Sequence, residues 1–158
     1  IDFPKHFGNN GKKCSDYPAS FWIFNEVGFL DCSIEEVPDK VSLLPETIEL
    51  LILKTGFGKN RDKDIYWSSQ PVIPASFALL FRSAFPNLRV FGFDMISLTS
   101  KLDRAEGKKA HTAFLLEQDI LILEDMMINS LSISPEKVII SPLQIGVLDG
   151  APCTVISF

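Results

Sequence analysis

The sequence has no excess of basic residues: 15 Lys and Arg stand against 20 Asp and Glu, for a net charge of −5. Nucleic-acid phosphates select the opposite balance, so a nucleic-acid partner is excluded. It has no apolar run near the roughly 18 residues of a membrane span, because Glu117, Asp119, Glu124 and Asp125 break up the Leu- and Ile-rich stretch that comes closest. No membrane partner is expected. The three cysteines, Cys14, Cys32 and Cys153, are odd in number and scattered, with no Cys-x-x-Cys pair. That leaves neither a disulfide framework nor a zinc knuckle and fits a reducing, cytoplasmic compartment. There is no Gly-x-Ser-x-Gly and no His-Glu-x-x-His, and Lys54-Thr55-Gly56-Phe57-Gly58-Lys59 lacks both a P-loop ending and the third glycine of a dinucleotide fingerprint. Start methionine, charged leader and cleavable apolar segment are also missing: the chain opens on Ile1-Asp2-Phe3-Pro4 and reads as a fragment.

What is present is 46% hydrophobic residues over 158 positions, 13 of them Phe. A chain this long buries roughly two-thirds of its unfolded surface, enough for one core, so a single domain over residues 1–158 is expected. The apolar surplus points to a subunit interface and a homo-oligomer. Strands are expected at Gly28–Ile34, Ile48–Leu53, Leu88–Phe93, Ile120–Leu123 and Lys137–Ile140; the continuous apolar run of the second suits a strand covered on both faces. A helix opened by Pro74 presents Phe77, Leu80 and Phe81 on one face and ends at Pro86, and another is expected over Ala110–Glu117. Phe57–Gln70 reads as a surface loop or lid, and Thr99–Lys109 as a charged loop. Asp149-Gly150 reads as the turn of a hairpin between Leu143–Leu148 and Cys153–Phe158. The alternation of strand and helix makes the chain α/β, with helices packed on a mixed sheet.

Chemistry must come from few residues. His6 and His111 are the two histidines, and each by itself is as compatible with a surface or hydrogen-bonded core position as with a ligand or acid/base role. Cys14 as a nucleophile is set aside in favour of a small buried hydrophobe. Any metal site must be assembled from distant segments.

Asp2-Phe3-Pro4-Lys5-His6-Phe7 resembles the second part of the His-x-Gly-Thr-His-x-Asp-x-Pro-x-His motif of the metal-dependent cyclase and kynurenine formamidase-like hydrolases. Leu53-Lys54-Thr55-Gly56, Gly92-Phe93-Asp94-Met95-Ile96-Ser97, the stretch from His111 to Glu124, Pro142-Leu143 and Leu148-Asp149-Gly150-Ala151-Pro152 are similar to later motifs of that family, in the family's order. The resemblance implies a swivelling β/β/α architecture. It implies metal ligation by Asp2, His111 and Glu124, with Asp125 as the alternative to Glu124, and makes His6 the general acid/base. The centre would hold one or two zinc or manganese ions, with Asp2 able to bridge. Two further histidine ligands would precede Ile1, so the ligand set of this chain is incomplete.

Carboxylates and neutral imidazoles suit a zinc-like dication, which activates water and polarises a carbonyl. The implied activity is hydrolysis of a small-molecule substrate: an amide, N-formyl amine or cyclic imide. Phe7, Trp22, Phe57, Tyr66 and Trp67 are candidate pocket walls, with core packing the alternative for Phe7 and Trp22. With three protein ligands and Asp2 beside a terminus expected to fray, the chain alone is expected to bind metal weakly or not at all and to show no measurable hydrolysis. The competing reading is a non-catalytic remnant or binding protein that keeps the fold; it takes Asp2 as a loop cap, His6 as a surface residue and Glu124 as a helix-start carboxylate.

Overall fold

A computed structural model describes residues 1–158. In chain order the strands are β1 (Ile23–Phe24), β2 (Val27–Asp31), β3 (Leu50–Lys54), β4 (Val90–Phe93), β5 (Leu121–Leu123), β6 (Val138–Pro142) and β7 (Cys153–Ser157). The helices are α1 (Val37–Val41), α2 (Asp64–Ser68), α3 (Ser76–Ala84) and α4 (Arg104–His111), the last continued by a π-helical turn over Thr112–Glu117. No helix is long and apolar enough to cross a membrane.

The α/β class holds, with the parallel and antiparallel pairing divided between two sheets. β2, β3, β4 and β5 lie side by side in sequence order and all parallel, with Val27, Leu50, Val90 and Leu121 in one row. Parallel neighbours need crossovers, and α1, α3 and α4 supply them, packing on one another as a helical layer. Every residue of β4 and β5 is buried, which requires cover on both faces. The antiparallel sheet β1-β6-β7 supplies the second cover: Val138 and Val155 share a cavity of about 350 Å³ with Ile52 of β3. β6 alternates buried with more exposed residues and β7 half-buried with exposed ones, apart from its exposed last residue, as a half-solvated sheet should. One core of 39 buried residues runs through both sheets and the helices.

Three expectations are corrected here. The segment from Phe57 to Gln70 is not a free lid. It forms a 3-10 turn and α2, and it is pinned by Tyr66, fully buried, and Gln70, 2% exposed. The charged loop at Thr99–Lys109 is largely helix: α4 starts at Arg104, capped by the Asp103 carboxylate, which accepts the Glu106 N–H at 2.9 Å. Its buried residues are Gly107, Ala110 and His111, too small or polar to display an apolar period. Asp149-Gly150 is not a hairpin turn. Neither residue has positive φ, and residues 143–152 form an irregular connection, after which β7 does run back along β6.

Candidate metal centre

The site lies beyond the carboxyl ends of β4 and β5, where parallel α/β sheets place their ligands. Glu124 follows β5 directly. Asp2 is held from both sides: it bridges Ile122 of β5 and also Gly150, with its N–H donating to the Ile122 carbonyl at 2.8 Å. The next residue, Phe3, is fully buried and donates its N–H to the Asp149 carbonyl at 2.9 Å. The expected fraying at Asp2 is therefore absent, because the first three residues act as an extra strand segment tying β5 to the approach of β7. At Gly150 the fit is close enough that a Cβ would stand 2.9 Å from Asp2 Oδ1.

His111 ends α4 and is 3% exposed. Its Nε2 stands 3.5 Å from Glu124 Oε1 and 3.7 Å from Asp2 Oδ2. Nδ1 faces the Gly107 carbonyl at 2.9 Å and Thr99 Oγ1 at 3.2 Å, and a donated Nδ1–H to that carbonyl leaves the Nε2 lone pair for a cation. One donor atom from each of Asp2, His111 and Glu124 fits within a 4.8 Å cluster. Donors around a four-coordinate zinc-sized ion stand about 3.4 Å apart, so the spacing and the oxygen-plus-imidazole set both fit a divalent cation of about that size.

Burial opposes the charged form of His111, but hydrogen bonding to Asp2, Glu124 and the Gly107 carbonyl outweighs it and holds the pKa up at about 9. A folded-state value above the unfolded one contributes stability that is complete below about pH 6.5 and lost as the pH rises through about 9. The metal-free protein is therefore expected to melt at progressively lower temperature between pH 7 and 9.5. A thermal melt series checks this, and a flat profile across that range would contradict it.

Glu124 Oε1 accepts from Ser97 Oγ at 3.0 Å and from the Leu98 N–H at 2.6 Å. Asp125 is not an alternative ligand. It adopts φ 57°, which turns its carboxylate to Arg61 Nε at 3.1 Å and to the Tyr66 hydroxyl, away from the cluster. Asp94 is fully buried and structural: it accepts the Thr55 N–H at 2.9 Å, the Thr55 hydroxyl at 2.7 Å and the Gly58 N–H at 3.2 Å, fastening the loop after β3 to the end of β4.

His6, in a 3-10 turn after Phe3, lies on the rim with its ring 6.3 Å from that of His111 and its Nδ1 3.6 Å from Asp149 Oδ2. Phe7 stacks on His111 at 4.6 Å and 13° and forms one wall. The other proposed walls lie elsewhere. Trp22 packs in the core against Phe3, Tyr66 stacks on Phe57 beneath Asp125, and Trp67 is exposed on α2. Cys14, Cys32 and Cys153 are all free.

Several contributors had not been assigned a role from sequence. Ser97 had a signal, its place in the Gly-x-Asp-x-x-Ser match. Thr99, Gln70 and Gly107 had none, since a single hydroxyl contact, contacts to backbone groups and a close approach leave no pattern in residue type. Gly107 is required by proximity: a Cβ there would meet Thr99 Cα at 2.5 Å. Helix propensity alone would favour Gly107→Ala by about 1 kcal/mol, yet overpacking against backbone costs about 1–3 kcal/mol. We expect a lower urea midpoint for this variant; a higher one would show that α4 moves aside freely.

Fold and site together define a two-sheet α/β protein with a candidate three-donor metal group at the strand ends. Among solved structures, the fold is shared with a potential metal-dependent hydrolase with cyclase activity, 19% identical, with a TM-score of 0.70 over 98% of this chain and 74% of the other. It is shared also with isatin hydrolase A from Labrenzia aggregata bound to benzyl benzoate, 15% identical, with a TM-score of 0.72 over 99% of this chain and 72% of the other. No family model and no curated protein matches the sequence.

Proposed function

We propose that this protein is a metal-dependent hydrolase of the cyclase-like, kynurenine formamidase-like family, acting on a small amide, N-formyl amine or cyclic imide. The carrying observation is the convergence of Asp2, His111 and Glu124, from three distant chain segments, into one donor cluster. The ordered motif matches and the shared fold with two hydrolases support the reading. Asp2, His111 and Glu124 would hold a zinc or manganese ion, which when bound would supply Lewis acidity to a carbonyl and to water. The chain supplies the rest. His6, at the rim, takes a proton from the attacking water and returns it to the leaving nitrogen, with Asp149 beside its Nδ1. Phe7 covers one face of His111 and keeps water off it.

A second reading, a binding protein without catalysis, draws on one observation: His111, when protonated, already faces both carboxylates as their counter-charge and offsets part of their repulsion. Metal analysis after dialysis against Zn²⁺ or Mn²⁺, followed by assays on an N-formyl aromatic amine, a simple amide and isatin, separates the two. Uptake of metal with hydrolysis that a chelator abolishes carries the hydrolase reading and overturns the expectation that residues 1–158 alone are inactive. Uptake without turnover of any substrate, or no uptake at all, favours the binding protein, and no uptake ends the hydrolase reading.

A further inference from the structure

The turn from Ser97 to Ser100 touches two of the three members of the donor cluster. Ser97 Oγ and the Leu98 N–H both donate to Glu124 Oε1, while Thr99 Oγ1 meets His111 Nδ1. A short turn has few internal hydrogen bonds to hold such aim, so its orientation must be imposed from outside. Gln70 is the residue that does so. Its carboxamide grips the main chain of Ser97 at both ends: Nε2 donates to the Ser97 carbonyl at 2.5 Å, and Oε1 accepts the Ser97 N–H at 3.3 Å. Its own carbonyl accepts the Ser100 hydroxyl at 2.7 Å. One residue thus holds both ends of the turn, from a segment placed by the buried Tyr66 and by α2.

A polar side chain 2% exposed is costly unless its hydrogen bonds are made, and here they are made to backbone groups that an apolar residue could not serve. The Ser97–Ser100 turn carries no strand and no helix, so Gln70 does not complete a ladder. Its hydrogen bonds lead to the donor cluster.

We propose that Gln70 is a positioning residue for the metal group: its buried carboxamide fixes the Ser97–Ser100 turn and, through that turn, the Glu124 carboxylate and the His111 ring. This deepens the hydrolase reading above and rests on it for the metal. It has a readout that does not need the metal, the exchange of the Leu98 amide hydrogen, which is protected only while that N–H is held on Glu124.

The test uses the whole chain, ¹⁵N-labelled, in wild-type and Gln70→Met forms, the substitution keeping length and removing both hydrogen bonds. In the metal-free protein, the Leu98 amide should exchange about tenfold faster or more in the variant, with the amides of β4 unchanged. Competition titration with Zn²⁺ should show affinity lowered about 10- to 100-fold, the usual effect of losing an outer-shell partner. Unaltered Leu98 exchange overturns the proposal. So does uniform acceleration of all amides, which would mark a purely structural residue, and so does a released Leu98 amide with unchanged Zn²⁺ affinity. If Leu98 is released but even the wild-type protein takes up no Zn²⁺, the hydrolase reading falls and the positioning of Glu124 by Gln70 stands. Should Gln70→Met fail to fold, Gln70→Glu, which keeps the acceptor for the Ser97 N–H and loses the donor, is read by the same two measurements.

Discussion

His111→Ala is expected to lose metal affinity by about 100-fold or more, beyond the range typical of outer-shell changes, and to weaken the metal-free fold at the same time. The first effect follows from donor type. His111 is the single nitrogen of the cluster, and without it two carboxylates remain, a set better suited to hard cations than to zinc. The second follows from charge. Asp2 and Glu124 face one imidazole at 3.7 and 3.5 Å, and removing it leaves two like charges together. Breaking a buried ion pair from one side costs about 3–5 kcal/mol, and the lower end applies because these carboxylates keep 16% and 19% of their side-chain exposure. Zn²⁺ titration and urea unfolding at pH 7 measure both effects. Lost affinity with full stability would mean that the triad is not an ion cluster in the metal-free protein.

Phe3→Ala is expected to produce the largest change in stability, about 3–5 kcal/mol, as for other fully buried aromatics. Phe3 lies 5.7 Å from Tyr17 and 6.2 Å from Trp22 by ring centroid, edge-on to the latter. It is also the anchor that keeps Asp2 beside Ile122. Metal affinity should therefore fall even under conditions where most molecules stay folded. Phe7→Ala is the contrast: this ring is 36% exposed, so its loss should cost little in stability while uncovering His111. If Phe3→Ala shifted the melting temperature and left Zn²⁺ affinity intact, Asp2 would be held by its backbone bridges alone.

The parallel sheet was legible because Leu50–Leu53 and Val90–Phe93 are continuous apolar runs, which only strands covered on both faces tolerate. Asp2, His111 and Glu124 were legible through motif resemblance. Periodicity would have found none of them, and His111 sits on a helix whose buried face has almost no apolar side chain. The end of that helix was legible as the helix expected over Ala110–Glu117, and there a π-helical turn buries Ala113, Phe114 and Leu115 in succession. Gln70 and Thr99 act through backbone groups and single hydroxyl contacts, which leave no mark on the composition around them. The Asp149-Gly150 signal misled because the glycine answers to the nearby Asp2 carboxylate instead of to a turn.

The placement of Asp2 between Ile122 and Gly150 also has a consequence for the order of events during synthesis. The four parallel strands pair in sequence order, so they can assemble one after another as a nascent chain lengthens from its N-terminus. Asp2 emerges before every strand of the sheet and is seated late: its partners lie some 120 and 148 residues later, and contacts of such separation form slowly and late. A ribosome-bound chain that stops short of Gly150 therefore carries all four parallel strands while Asp2 still lacks one of its two bridging partners.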